Sequence, residues 1–160
     1  MKQEKKAVDI KEARAKFDSY GSEWEKTLFD KDSGGYLVTQ ISRIAQSGKS
    51  DNEFKKFDKE QEMCKTLSRN GYAVEHLDDN NGETYDIHLN GIKADLKKTG
   101  SHNNIANYAK EAIREQGAEI VVFEFEKETE KIHAEIILLR KKNIHGKYFF
   151  TKRDDVVYDF

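Results

Sequence analysis

The sequence predicts an α/β fold of the α+β kind, a mixed central β-sheet flanked by helices, and three stretches predict it. Asn90-Gly91 stands between two alternating runs, Thr84–Leu89 and Ile92–Lys97. That dipeptide is the strongest short-range hairpin signal, because a type I′ turn needs a positive φ at two successive residues. Upstream, residues 53–69 place Phe57, Cys64 and Leu67 at helical spacing, with Phe54 and Met63 flanking them. Downstream, Ile120–Phe125 within 119–126 is nearly continuous apolar chain and reads as a strand buried on both faces.

Taken in order, residues 10–29 carry Ile10, Ala13, Phe17, Tyr20, Trp24 and Leu28 three and four apart, which predicts a helix interrupted at Gly21. Asp32–Gly35 is a turn, Tyr36–Ile44 a short strand, and Gln46–Asn52 a loop rich in capping residues. The helix at 53–69 ends at Asn70-Gly71, and Tyr72–Leu77 follows as a strand. After the hairpin, Ser101 or Asn103 caps a helix from about 102 to 116, stopped by Gly117. Ile132–Arg140 is expected as a further strand. These elements divide the chain into 1–50, a helical segment with a short strand that is either a packed element or a tether, and 51–160, the main domain.

Composition excludes several classes. One cysteine, Cys64, rules out a disulfide framework and the usual thiolate zinc sites. Nine Phe, seven Tyr and one Trp supply a core although charged residues reach 36%. No stretch has the length of a membrane span, so a soluble chain is expected. The formal charge of −2 gives no global basic signature, and a nucleic-acid partner has to be argued locally.

The hairpin carries the chemistry. With Asn90-Gly91 as a two-residue loop, Tyr85, Ile87, Leu89, Ile92, Ala94 and Leu96 share one face and Asp86, His88, Lys93, Asp95 and Lys97 the other. In that register Asp86 faces Asp95 directly, and like charges on one rung repel. A divalent cation between them would resolve the repulsion, which points to a metal-dependent hydrolytic site; the bland account is a solvated sheet face. Glu60 falls inside the apolar stripe at the 57, 60, 64, 67 spacing. It either faces the same cation or reaches water from the stripe's edge. Arg140, Lys141, Lys142, Lys147, Lys152 and Arg153 interleave with Tyr148, Phe149 and Phe150, which reads as a nucleic-acid groove or as a last strand with a solvated face.

Glu60, Asp86 and Asp95-Leu96-Lys97, in the order helix, strand, return strand, resemble the PD-(D/E)xK nuclease superfamily, with Tyr85 where that pattern has proline. A closer likeness covers about 53–126: E-x-x-x-C-x-x-L-x-x-x-G-Y-x-V, then Y-D-I-x-L-N-G-I-K-A-D-L-K, then an N-I helix and an apolar strand. This resembles the tRNA-nuclease domains of contact-dependent growth-inhibition toxins. The resemblance implies a PD-(D/E)xK-like core and a metal-dependent endonuclease, with Glu60, Asp86, Asp95 and Lys97 catalytic. Glu60, Asp86 and Asp95 would hold Mg²⁺ or Mn²⁺, hard cations that take oxygen ligands. His88, Lys93, Lys98, Ser101 and Asn104 would contact substrate at the mouth of the site. It further implies a cognate immunity protein as partner, a larger delivered parent protein, and action in the cytoplasm of a target cell. The same core also serves DNA endonucleases of the restriction, repair or resolvase kind. A catalytically inactive nucleic-acid-binding module is the third alternative.

Overall fold

The computed structural model describes residues 2–79 and 84–160, with side chains of residues 2–9 and 154 left aside. The fold is mixed α/β, and the chain divides into two compact units, residues 1–78 with 87–91 and residues 79–86 with 92–160.

The first unit is built on α1 (Lys2–Ser19), β1 (Trp24–Phe29), β2 (Tyr36–Gln40), α2 (Ile41–Ser47), α3 (Asp51–Arg69), β3 (Ala73–His76) and β4 (Ile87–Leu89). β1 and β2 are antiparallel, β2 and β3 parallel, and β3 and β4 antiparallel. Ser50 caps α3, its hydroxyl accepting the Glu53 N–H at 3.1 Å. Asn70 closes the helix, and Gly71 follows with φ 94°. The helix buries Glu60, Gln61, Met63, Cys64 and Leu67, whereas Phe54 stays 55% exposed. Gly35 permits the close approach of β2 to the end of α3: a Cβ there would lie 1.8 Å from the Ser68 carbonyl oxygen. Phe17 packs with Tyr36 and Val38, so α1 contributes to the core.

The second unit runs β5 (Ile92–Thr99), a 3-10 turn (His102–Asn104), α4 (Ile105–Lys110), a π-helical turn (Glu111–Glu115), β6 (Ile120–Phe125), α5 (Glu130–Lys141), β7 (Gly146–Phe150) and β8 (Arg153–Asp159). β6 is parallel to both β5 and β7, and β8 returns antiparallel to β7. Parallel neighbours need crossovers of a dozen residues or so, which α4 with its π turn and α5 supply. Val121, Phe123 and Phe125 of β6 pack with Ile105, Ala109, Ile132, Ile136 and Leu139. The doubly buried strand expected from 119–126 is thus in place.

Several sequence-based expectations are corrected. Trp24–Phe29, expected to prolong the first helix, is β1, for the helix ends before Gly21. Only Tyr36–Gln40 of the stretch 36–44 is strand; the remainder starts α2, which also takes in part of the expected loop at 46–52. Ile132–Arg140 is helical: Thr129 caps it by accepting the Ile132 N–H at 3.2 Å, and Ile132, Ile136 and Leu139 form its buried face. A short apolar run does not by itself distinguish helix from strand. The expected division at residue 50 is not where the units part, since β2 pairs with β3. Tyr148, Phe149 and Phe150 are only 9%, 1% and 1% exposed and serve as core, not as a base-stacking platform. Of the basic residues among them, Lys147 pairs with Asp159 and Arg153 with Glu128.

Candidate functional site

The turn that sets up the site has the expected backbone: Asn90 and Gly91 take φ of 50° and 81°. From it β5 carries Asp95 and Lys97, with their backbones registered beside Val121 and Phe123 of β6. Asp86 lies just outside β4. Its N–H donates to the Ala94 carbonyl at 3.1 Å, and its Oδ2 accepts the Leu96 N–H at 2.8 Å. Asp86 therefore grips the backbone on either side of Asp95, both acids being buried at 8% and 1% exposure. A backbone donor, the Leu96 N–H, meets the Asp86 charge.

Lys97 is the centre of the cluster. Its Nζ lies 3.1 Å from Asp95 Oδ2 and 2.9 Å from Glu111 Oε1, and it also donates to Gln116 Oε1 at 3.4 Å. Gln116 in turn donates to Glu111 at 3.1 Å, and the Tyr108 ring lies 5.6 Å from the ammonium. Burial alone would lower the Lys97 pKa; the hydrogen bond to Glu111 and the charge of Asp95 outweigh it, and the pKa is raised. Lys97 stays an ammonium, which donates and cannot act as a general base. Glu111 opens the π-helical turn, a backbone irregularity often found at functional sites. Sequence reasoning missed Glu111 and Gln116, because Lys110, Arg114 and Glu115 surround Glu111 with other charges and nothing in the sequence sets it apart.

Glu60 is buried, as its place in the stripe predicts, within a network of the first unit. Its Oε1 lies 2.9 Å from His76 Nε2 and 3.4 Å from Arg43 Nη2. His76 Nδ1 lies 2.8 Å from Gln61 Nε2, which also donates to the Thr39 hydroxyl at 3.0 Å. Phe57 stacks on His76 and lies beneath Arg43. Burial pushes the Glu60 pKa up, but the His76 hydrogen bond and charge, with Arg43, hold it below its ordinary value. Among the described residues no group of three or more His, Cys, Asp or Glu side chains is arranged to hold a metal ion. Of the three carboxylates expected as ligands, Glu60 belongs to the first unit and Asp86 and Asp95 to the second.

The expected substrate contacts belong to both units. His88 Nδ1 lies 2.9 Å from Glu75 Oε1 in the first unit. In the second, Lys93 lies over the Tyr85 ring and Lys98 pairs with Glu124 at 3.4 Å. Ser101 caps the turn that follows β5 by accepting the Asn103 N–H, and Asn104 donates to the Thr99 hydroxyl at 3.1 Å. Ser101 and Asn104 thereby secure the chain after β5.

No family model and no curated protein matches this chain. A solved structure, the CdiA-CT/CdiI toxin and immunity complex from Burkholderia pseudomallei, contains a chain of similar fold. The TM-score is 0.53 at 18% identity, covering 71% of this chain and 89% of that one. At that identity the likeness is one of fold. Among the described residues no helix is long and apolar enough to cross a membrane.

Proposed function

We propose that this chain is a metal-dependent endonuclease of the contact-dependent growth-inhibition toxin type, with tRNA as substrate. The observation that carries the reading is the grouping of Asp86, Asp95 and Lys97 in one unit, with the ammonium held against Asp95 Oδ2 at 3.1 Å. The D-x-K spacing that resembles the PD-(D/E)xK superfamily and the fold shared with a chain of a toxin and immunity complex support it. That complex holds both a toxin and its immunity protein, and an acid–lysine cluster of this composition suits the toxin side. The corresponding partner is a cognate immunity protein, and the place of action is the cytoplasm of a target cell.

The donor set fits Mg²⁺ or Mn²⁺. Such ions take hard oxygen ligands, keep several waters, and are commonly bound by one or two carboxylates together with substrate phosphates. Asp86 and Asp95 would hold the ion; Glu60, engaged by His76 and Arg43, is not assigned to it. When bound, the ion lowers the pKa of water and polarises the phosphate. The chain's own residues do the rest. The Leu96 N–H fixes the orientation of the Asp86 carboxylate, and the neighbouring β6 registers the backbone of Asp95. Lys97, charged throughout, meets the negative charge that builds on the phosphoryl oxygens or donates to the attacking water. One such preorganised donor is commonly worth ~3–4 kcal/mol. Glu111 and Gln116 set where that ammonium stands.

Incubation of the purified chain with tRNA, total RNA and plasmid DNA, each with Mg²⁺ or with EDTA, tests the reading. Mg²⁺-dependent cleavage of tRNA is expected. Cleavage undiminished in EDTA would overturn the mechanism, and cleavage of plasmid alone would move the substrate to DNA.

A further inference from the structure

The first unit holds a pocket of about 340 Å³ formed between α1 and the β3 and turn residues, within the size range of small-ligand sites. Tyr20, Tyr36, Glu75, Ala73, Asn90 and Lys16 are among the residues that line it. Its polar end is an ordered chain of groups. The Tyr20 hydroxyl donates to Glu75 Oε2 at 2.7 Å and lies 3.2 Å from the Tyr36 hydroxyl, while His88 Nδ1 lies 2.9 Å from Glu75 Oε1. Burial, then the hydrogen bonds to Tyr36 and Glu75, push the Tyr20 pKa far above its ordinary value, so Tyr20 stays a donor. Asn90 is itself fixed, exchanging 2.8 Å hydrogen bonds with the backbone of Ala73. The Glu75 side chain nevertheless remains 26% exposed. A carboxylate has about four acceptor positions, and two donors leave the others for a ligand.

We propose that this pocket is a guanine-binding subsite in which Glu75 accepts from the base's N1–H and exocyclic amino group. The proposal rests on the nucleic-acid reading above and gives it a base preference. Among the four RNA bases, guanine alone presents two adjacent donors on its Watson–Crick edge, a match for the two oxygens of one carboxylate. Adenine and cytosine place an acceptor beside their amino group, and uracil has one N–H between two carbonyls. Single-stranded RNA is characteristically read on that edge, and Tyr20 and Tyr36 are among the residues of the pocket wall. Lys16 on the rim supplies a donor for guanine O6. Glu12 also lines the pocket, so Glu12 and Lys16 offset one another in charge. Guanine O6 can accept from the Lys16 ammonium, whereas a guanidinium, which offers only donors, cannot.

The chain carries its own reporter, because its single tryptophan, Trp24, packs edge-on against Tyr20 with ring centroids 5.4 Å apart. Titrating the full chain in EDTA with neutral nucleosides and following Trp24 emission tests the proposal. Guanosine should give a saturable change. Inosine, which lacks the exocyclic amino group, should bind at least fivefold more weakly, a comparison that needs no variant. Adenosine, cytidine and uridine should not saturate over the same range. Glu75→Gln should weaken guanosine at least tenfold with an unchanged circular-dichroism spectrum. Equal response to all nucleosides, no response to guanosine, or tighter binding of arginine amide than of guanosine would overturn the assignment. The nuclease reading is judged separately by cleavage: selective guanosine binding without Mg²⁺-dependent cleavage would sustain the pocket and remove the nuclease. Cleavage without guanosine binding would do the reverse.

Discussion

Asp95→Asn separates two physical accounts of the acid pair. If Asp86 and Asp95 shared a rung with nothing between them, removing one charge would relieve repulsion and stabilise the metal-free chain. The structure gives the opposite sign. Asp86 Oδ2 already accepts the Leu96 N–H at 2.8 Å, and the Asp95 carboxylate, with its side chain 2% exposed, is paired with Lys97 at 3.1 Å. Breaking a fully buried pair costs roughly 3–5 kcal/mol. Here Lys97 keeps Glu111 at 2.9 Å, and the Glu111 side chain is 39% exposed, so the loss is smaller. An isosteric amide in place of Asp95 should cost about 1–2 kcal/mol. With an urea slope of about 2 kcal/mol/M, the unfolding midpoint in EDTA should fall by about 0.5–1 M. Circular dichroism across a urea series measures it. The same preparation should show no cleavage, and Mg²⁺ should raise the melting temperature of wild type but not of the variant. A metal-free variant as stable as wild type, or more so, would refute the ion-pair reasoning and restore the repulsive rung.

Three further outcomes follow from the geometry. Glu60→Gln should destabilise the chain by about 3 kcal/mol at pH 7, because it leaves buried Arg43 without a charged partner, while exposed Glu62→Gln should stay within about 0.5 kcal/mol. Because the Glu60 pKa is lowered on folding, its contribution is present above its ordinary value of 4.5 and is lost as pH falls through the folded value. The gap between wild type and Glu60→Gln should therefore close in acid, as urea midpoints at a series of pH values would show. Glu111→Gln keeps an acceptor for Lys97 but loses the charge, and should lower the cleavage rate at saturating tRNA by about ten- to a hundredfold, the worth of one charge-assisted hydrogen bond. Gly35→Ala should cost about 3 kcal/mol or more in thermal unfolding, since its Cβ would meet the Ser68 carbonyl oxygen at 1.8 Å; a shift of a degree or two would show that the backbone yields there.

What the sequence determined is what neighbouring residues decide among themselves. Asn90-Gly91 adopts its two positive φ values because few other residues tolerate them, and Ser50 and Ser101 cap because a short hydroxyl reaches a backbone N–H two or three residues on. The inward place of Glu60 and the double burial of β6 follow from periodicity in the same way. Tertiary structure decided the rest, because it concerns partners whose separation along the chain carries no signal. Whether 132–140 became strand or helix depended on a face to bury, and Ile132, Ile136 and Leu139 found one beside β6. Glu60 found its partners in Arg43 and His76, at sequence separations of 17 and 16. Lys97 reached Glu111 and Gln116 through a π-helical turn that periodicity does not announce. A buried charge has to be met by some donor or counter-charge, and which one met it was a property of the fold.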